Sequence, residues 1–215
     1  LRRHDSVEHA VLRCIGTRVN DFLVSVVSDT GRTVSDVIIQ DIIIDGIGGS
    51  GAIFTGGDGS TGGTYRDFLI SRVTISGDTS SLFSSNPASF FPIHHEQGTL
   101  SDNIEISDVT VAFSPQFRTP GGIYIGGLAG GTMTNLVLRN VSLVPGPGTQ
   151  DSTQQLQCYA TLDSGLFENV TLSGVRGILI HDCRNLEFRG CQVTGGAITL
   201  VANGRDISAE FNDCD

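Results

Sequence analysis

Lysine is absent from this chain of 215 residues, so all 13 basic residues are arginines. The acidic residues outnumber them at 23, which gives a formal net charge of −10. Proteins bind nucleic acid through a basic surface patch, and the sequence contains no cluster that would form one. The composition therefore argues against nucleic acid as a partner.

Long hydrophobic runs are missing as well. No apolar stretch approaches the length that crosses a bilayer, and the chain does not open with the charged and apolar regions of a secretory signal. We therefore expect no membrane insertion. No segment keeps the apolar spacing of three and four that marks an amphipathic helix, so no long helix is predicted.

Cysteine is scarce and its number is odd. The five residues are Cys14, Cys158, Cys183, Cys191 and Cys214, and their spacing matches no metal motif and no complete disulfide framework. We expect buried free thiols that pack as small hydrophobic groups. The alternative is a disulfide that joins Cys191 to Cys183 or to Cys214. No metal site and no cofactor is predicted, and lipase, phosphate-loop and zinc-protease motifs are absent.

One repeated phrase dominates what the sequence does contain. An apolar-alternating run is followed by an Asn or Asp and then by a second apolar-alternating run. The phrase occurs at Asp36–Asp45, Asp67–Ser76, Asn103–Ala112, Asn135–Val144, Phe167–Gly174, Asn185–Thr194 and, more loosely, Asp206–Cys214. Self-similarity at a period of a few tens of residues indicates a solenoid, here one built from strands.

The phrase also predicts which side chains face inward. Its leading position is always apolar, whereas the next position varies between apolar and charged residues, as the two-residue period of a half-buried strand requires. The leading residues are Val37, Phe68, Ile104, Leu136, Leu186 and, in the last repeat, Ile207.

A third apolar run precedes most phrases and completes the predicted coil. These runs are Gly51–Thr55, Ser89–Ile93, Gly121–Ile125, Cys158–Leu162, Gly177–Ile180 and Gly196–Leu200. Three short strands joined at Asn, Asp or Gly corners describe one coil of a right-handed, single-stranded parallel β-helix. The prediction is a single all-β domain over residues 1–215 with seven or eight coils. A β-sandwich is the alternative, but sandwich sequences lack a repeating phrase.

The longer intervals between the early phrases predict loop insertions on the earlier coils. The extra segments are rich in Ser, Gly, Pro and Thr, as surface loops are. They span Asp78–Ser89, Ser114–Gly121 and Val144–Gln157. Both ends of the solenoid look uncapped, and solenoids need a terminal cap. We therefore expect the domain to belong to a longer chain or an assembly.

From about Val34 to Cys214 the repeated phrase resembles the pectate-lyase-like right-handed β-helix superfamily. Its members include polysaccharide lyases, polygalacturonases and bacteriophage tailspikes, and this chain is nearest in character to tailspike and virion spike proteins. The polygalacturonase motifs are absent, and without lysine their Arg-x-Lys cannot occur. The resemblance implies an architecture, whereas activity depends on the site.

The candidate site lies where the third strand of each coil ends. Alignment of these ends places Asp58 beside Glu96 on adjacent coils, as a carboxylate pair with the separation that glycosidases use. It also predicts a substrate-binding ridge next to that pair, which comprises His94, His95, Asp163, His181, Asp182 and Arg184. The alternative interpretation is a structural one, in which Asp and His at such corners form hydrogen bonds to the backbone or to solvent.

Three functions fit this sequence. The first is a virion spike module, tailspike-like or head-attached, that contacts a host-surface polysaccharide as a homotrimer beside other virion proteins. The alternative is a glycan-degrading enzyme, either a glycoside hydrolase that uses Asp58 and Glu96 or a polysaccharide lyase. The third is a non-enzymatic cellular adhesin. Each places the protein at a virion surface or outside the cell.

Overall fold

The computed structural model describes residues 6–8, 11–13, 22–27, 32–45, 48–49, 51–56, 63–76, 81–82, 91–94, 100–112, 123–126, 131–144, 156–158, 161–173, 177–202 and 206–215. All regular elements in these ranges are β-strands. The first ten are β1 Ser6–Glu8, β2 Val11–Arg13, β3 Phe22–Val27, β4 Thr33–Asp45, β5 Gly48–Gly49, β6 Gly51–Gly56, β7 Thr64–Ser76, β8 Ser81–Leu82, β9 Phe91–His94 and β10 Leu100–Ala112. The others are β11 Ile123–Gly126, β12 Thr132–Val144, β13 Leu156–Cys158, β14 Thr161–Glu168, β15 Thr171–Ser173, β16 Ile178–His181, β17 Cys183–Arg189, β18 Gln192–Thr194, β19 Ile198–Val201 and β20 Ala209–Asn212.

The strands stack in two main sheets, and their recorded pairings are parallel. The larger sheet runs β1-β4-β7-β10-β12-β14-β17-β20, with β2, β15 and β18 paired beside that path. The smaller sheet runs β3-β6-β9-β11-β13-β16-β19. The chain therefore passes from one sheet to the other and returns one step further along the stack each time. We call each passage a rung. This all-β arrangement is compatible with a parallel β-helix.

The long strands bend because each contains two residues in the left-handed backbone region. In β4 these are Asp36 and Asp41, with φ of 59° and 57°. Asn and Asp visit this region at lower cost than other side chains, so the prediction of Asn and Asp corners is confirmed. The first corner holds Asp36, Asp67, Asn103, Asn135, Ser164 and Asn185, and the second holds Asp41, Arg72, Asp108, Asn140, Asn169, Gly190 and Asp213.

Between the two corners the predicted alternation of buried and outward residues is confirmed. Val37 pairs in register with Phe68, and the same column continues through Ile104, Leu136 and Leu186. All five side chains are buried. Gly165 also belongs to this column, and a Cβ there would come within 2.9 Å of Leu186 Cδ2. The neighbouring leucine thus fills the space that the glycine leaves.

Two predicted alignments are wrong. In the last rung Leu186 pairs with Ala209, two residues later than the predicted Ile207. Ser208 stands at the register position of the first corner there, without the left-handed backbone of the other corner residues, and its Oγ accepts a hydrogen bond from the Asn185 backbone N at 2.8 Å. The earlier error concerns the predicted third run Cys158–Leu162. The short strand ends at Cys158, and β14 of the larger sheet begins at Thr161.

The core fills the space between the sheets, and a stack of three phenylalanine rings extends from it to the half-exposed Phe211. Phe167 and Phe188 have ring centroids 4.6 Å apart, and Phe188 and Phe211 have centroids 4.8 Å apart. The predicted loop insertions lie almost wholly outside the described residues. The exceptions are β8 in the first insertion and the flanking strand residues Val144, Leu156 and Gln157 of the third.

Candidate functional site

The predicted catalytic pair falls outside the part of the chain that the structure describes. This holds for Asp58, Glu96 and the adjacent His95. For His94 the structure describes the backbone, which ends β9 and pairs with Gly56 and Gly126. The assignment of Asp58 and Glu96 as a catalytic pair therefore stays a prediction.

His94 and His181 occupy equivalent places in the smaller sheet. The residues directly before them, Ile93 and Ile180, belong to one register column. The two histidines therefore stand in line, three rungs apart. At the usual spacing of neighbouring strands their backbones are about 14 Å apart.

Asp163 does not lie in that line, and its predicted place in the ridge is wrong. It belongs to β14 in the larger sheet, where it pairs with Thr134 on one side and Arg184 on the other. The cause is the alignment error at Cys158, since Asp163 follows the start of a long strand and not the end of a short one. The structure thus brings Asp163 next to Arg184 and away from His94.

His181 and Asp182 connect β16 to β17. His181 is half-buried, and its Nε2 is shielded from solvent. Asp182 has a φ of 47°; its backbone N donates to Val201 O at 2.9 Å, and its carbonyl accepts from Leu162 N at 3.2 Å. These backbone hydrogen bonds connect the corner residue Asp182 to the rung before it and to the rung after it.

One strip of polar side chains follows the first corner of the larger sheet. Its members share an outward position and are exposed or half-buried. The position before the corner holds Ser35, Arg66, Asp102, Thr134, Asp163 and Arg184, and the corner itself holds Asp36, Asp67, Asn103, Asn135, Ser164 and Asn185. We call these residues the first-corner strip.

Hydrogen bonds between rungs hold the carboxylates of the strip. Asn103 Nδ2 donates to Asp67 Oδ1 at 2.7 Å. Asn185 Nδ2 donates to Asp163 Oδ1 at 3.0 Å. In both cases the amide belongs to the rung that follows the carboxylate, so the corner amides that shape the backbone also fix the acidic side chains.

Asp102 is the most strongly held of these carboxylates. Its Oδ1 accepts from Thr134 Oγ1 at 2.7 Å and from Asn135 Nδ2 at 2.9 Å. These two hydrogen bonds, with a smaller contribution from the positive charge of Arg66, lower the pKa of Asp102 below its ordinary value. Asp102 is therefore a carboxylate at neutral pH.

The strip presents donors and acceptors at the regular spacing of the rungs. Arg66 and Arg184 are exposed and lie four rungs apart in the column before the corner, about 19 Å at the usual strand spacing. Asp102, Thr134 and Asp163 lie between them. Guanidinium groups only donate hydrogen bonds, carboxylates only accept them, and a hydroxyl does both. The arrangement suits a linear ligand that carries hydroxyl groups.

Sequence reasoning identified part of this strip and missed the rest. Asp163 and Arg184 are predicted binding residues that belong to it. Arg66 and Asp102 were missed, although each directly precedes the corner residue of a repeated phrase. That position is the available signal, because the residue before the first corner is exposed or half-buried on each of the six rungs from β4 to β17.

A second charged cluster lies on the segment between the two corners, but its members pair with one another. Arg139 Nε donates to Glu168 Oε2 at 2.6 Å, and its Nη1 lies 3.5 Å from Glu105 Oε1. Arg189 likewise pairs with Glu187. These ion pairs are largely solvated and contribute little to stability individually.

Among the described residues no three or more His, Cys, Asp or Glu side chains are arranged to hold a metal ion. The same part of the chain contains no helix long and apolar enough to span a bilayer. No family model matches the sequence, and no curated protein and no solved structure is similar to it.

Proposed function

We propose that the chain is a right-handed parallel β-helix of seven or eight coils, related in fold to the pectate-lyase-like superfamily. The alternation between the two sheets with parallel pairing at each rung supports this fold. Connections between parallel strands of one sheet are right-handed in almost every known protein, which supports the handedness. Residues 1–215 then form one domain.

The function that we propose is that of a virion spike module, tailspike-like or head-attached, that contacts a host-surface polysaccharide. The observation that carries the proposal is the first-corner strip, an outward line of donors and acceptors that continues over successive rungs. A polysaccharide is itself linear and presents hydroxyl groups at regular intervals. A rigid strip of the same form binds it with little loss of side-chain entropy, because its carboxylates are already held.

The charge state of the strip favours binding over cleavage. A glycoside hydrolase needs one carboxylic acid with a raised pKa to protonate the leaving oxygen. In the described part of the chain, hydrogen bonds lower the pKa of Asp102 in the strip and that of Glu187 between the corners, so neither carboxyl is such an acid. The alternative function, a glycoside hydrolase or polysaccharide lyase, rests on Asp58 and Glu96.

A binding screen with product analysis tests this proposal. Purified bacterial lipopolysaccharides and capsular polysaccharides are each immobilised, and the 215-residue chain is passed over them. We expect saturable binding to at least one polysaccharide with no release of reducing or unsaturated sugar. Failure to bind any of a broad panel would contradict the proposal. Sugar release that Asp58→Asn and Glu96→Gln each abolish would establish the enzyme instead.

We also propose that the module is a homotrimer within a larger virion assembly. A trimer buries one long face of each solenoid against its neighbours in cyclic symmetry. Sedimentation equilibrium should give three times the 22.7 kDa mass of one chain. A stable monomer across the micromolar range would argue against this subunit arrangement without affecting the glycan proposal.

A further inference from the structure

One inward column changes residue type at its last two rungs. After the second corner, the buried position holds Ile42, Val73, Val109, Val141 and Val170 on successive rungs. Cys191 and Cys214 continue the same column. A run of branched aliphatic side chains is thus followed by two thiols on adjacent rungs.

Backbone hydrogen bonds on both sides fix the register of the two cysteines. The N of Gly190 donates to Asn212 O at 2.9 Å, directly before the pair. Directly after it, Asp215 N donates to Cys191 O at 3.0 Å, and Val193 N donates to Asp215 O at 2.9 Å. Cys214 therefore lies opposite Cys191, with no freedom to slip by a residue.

The two thiols have similar backbone surroundings. Cys191 Sγ lies 3.7 Å from the carbonyl oxygen of Arg189, and Cys214 Sγ lies 3.4 Å from that of Asn212. Each thiol thus lies near the carbonyl two residues before its own, and the Cys191 thiol also donates to Phe167 O on the preceding rung at 3.2 Å. Burial raises the pKa of Cys191 to about 11, and the neighbouring Cys214 thiol adds to the increase. The sulfur atoms are therefore neighbours within one column.

We propose that Cys191 and Cys214 are the site of a disulfide that locks the last rung onto the one before it. In-register residues on neighbouring strands have Cα atoms about 4.8 Å apart, which is inside the range that a disulfide spans. β20 pairs in register with β17, which brings the two cysteine backbones together on neighbouring rungs. This inference does not depend on the proposed function.

The oxidant is a low-molecular-weight disulfide such as oxidised glutathione. The Cys214 thiol is half-buried, whereas Cys191 is buried, so Cys214 reacts first. Its thiolate attacks one sulfur of the oxidant, forms a mixed disulfide and releases one glutathione thiol. The Cys191 thiolate then attacks the Cys214 sulfur and displaces the second glutathione. The two protein thiols lose two protons and two electrons, and one glutathione disulfide becomes two thiols.

Peptide mapping tests the proposal, because arginine is the only site of tryptic cleavage and separates all five cysteines. Cleavage after Arg189 and Arg205 leaves Cys191 in residues 190–205 and Cys214 in residues 206–215. The folded chain is equilibrated with glutathione buffers, alkylated and digested. We expect these two peptides to be joined by a disulfide. Alkylation of both cysteines at every buffer ratio, or a bond from either one to Cys14, Cys158 or Cys183, would overturn the proposal.

Hydrogen exchange provides a second readout that reports the lock itself. Oxidation should slow amide exchange in residues 206–215 by at least about tenfold, because the bond ties the last rung to its neighbour. Cys214→Ser should abolish that change, whereas Cys158→Ser, at a buried cysteine in the smaller sheet, should leave it intact. Equal exchange in the linked and reduced chains would show that the bond locks nothing.

Discussion

Residues at the corners have two roles in this molecule. They bend the backbone, and their side chains form hydrogen bonds to the neighbouring rung. Asn and Asp do both, and sequence alone predicted them. Arg72 was not predicted, because a left-handed arginine costs about 1 kcal/mol or more. Its φ is 52°, and it donates two hydrogen bonds to Asp41 at 2.5 and 2.9 Å. The contact with Asp41 on the neighbouring rung explains why an arginine stands at this corner. The local sequence pattern does not show that contact.

Gly177 and Gly190 allow a matched test of backbone constraint at residue scale. Both have positive φ, but a Cβ at Gly177 would overlap the backbone carbonyl oxygen of Ala197. A Cβ at Gly190 would meet Asn169 Oδ1 at 2.8 Å, the end of a flexible side chain. We expect Gly177→Ala to lower the free energy of unfolding by about 3 kcal/mol and Gly190→Ala by about 1 kcal/mol. Urea denaturation measures both, and equal losses would contradict this interpretation.

Asp102 makes stability depend on pH in a defined direction. Its pKa is lowered in the folded chain, so its carboxylate stabilises the fold above the unfolded value of about 3.9. That contribution is lost as the pH falls through the folded pKa. Because solvent screens this largely solvated carboxylate, Asp102→Asn should cost less than about 1 kcal/mol at pH 7 and progressively less below about pH 4.

The control for this pH dependence is Asp206→Asn, at an exposed carboxylate outside the first-corner strip. Thermal unfolding of both variants is followed between pH 3 and 7. A loss in Asp102→Asn that stayed constant over this range would show that the hydrogen bonds to its carboxylate do not depend on its charge.

At the scale of strands and rungs, the repeated phrase predicted register well wherever an Asn or Asp marked the first corner. It failed by two residues in the last rung because Ser208 stands at that corner. The prediction failed at Cys158–Leu162 because this apolar run includes the end of β13 in the smaller sheet and the start of β14 in the larger sheet. The alternation of apolar and polar residues shows which side chains face inward. It does not show where the chain passes from one sheet to the other inside a run that is apolar throughout. Such errors moved Asp163 into the wrong column.

The phenylalanine stack tests how much neighbouring rungs support one another. Phe188 contacts a ring on each side, whereas Phe211 contacts one and is half-exposed. We expect Phe188→Leu to lower the free energy of unfolding by about 2 kcal/mol and Phe211→Leu by less than about 1 kcal/mol. Guanidinium denaturation of the two variants makes the comparison, and a larger loss at Phe211 would refute the view that stacking from both sides matters.

For the whole molecule, the sequence predicted an all-β chain of stacked parallel strands but only a fraction of the candidate site. Asp163 and Arg184 were among the predicted binding residues, and Arg66 and Asp102 were not. A site of this kind is assembled from residues 21 to 36 positions apart in sequence, so its continuity appears only when the register is known. Once the columns are aligned, the position before the first corner is the natural place to search for ligand contacts.

The most direct test of the glycan proposal compares two double variants for binding to the polysaccharide that the wild-type chain retains. Asp163→Asn with Arg184→Gln changes the first-corner strip, and Glu187→Gln with Arg189→Gln removes the same charges from the segment between the corners. We predict that the strip variant loses at least about tenfold in affinity while the control keeps wild-type affinity. Equal affinity in the strip variant, with its fold intact, would contradict the account.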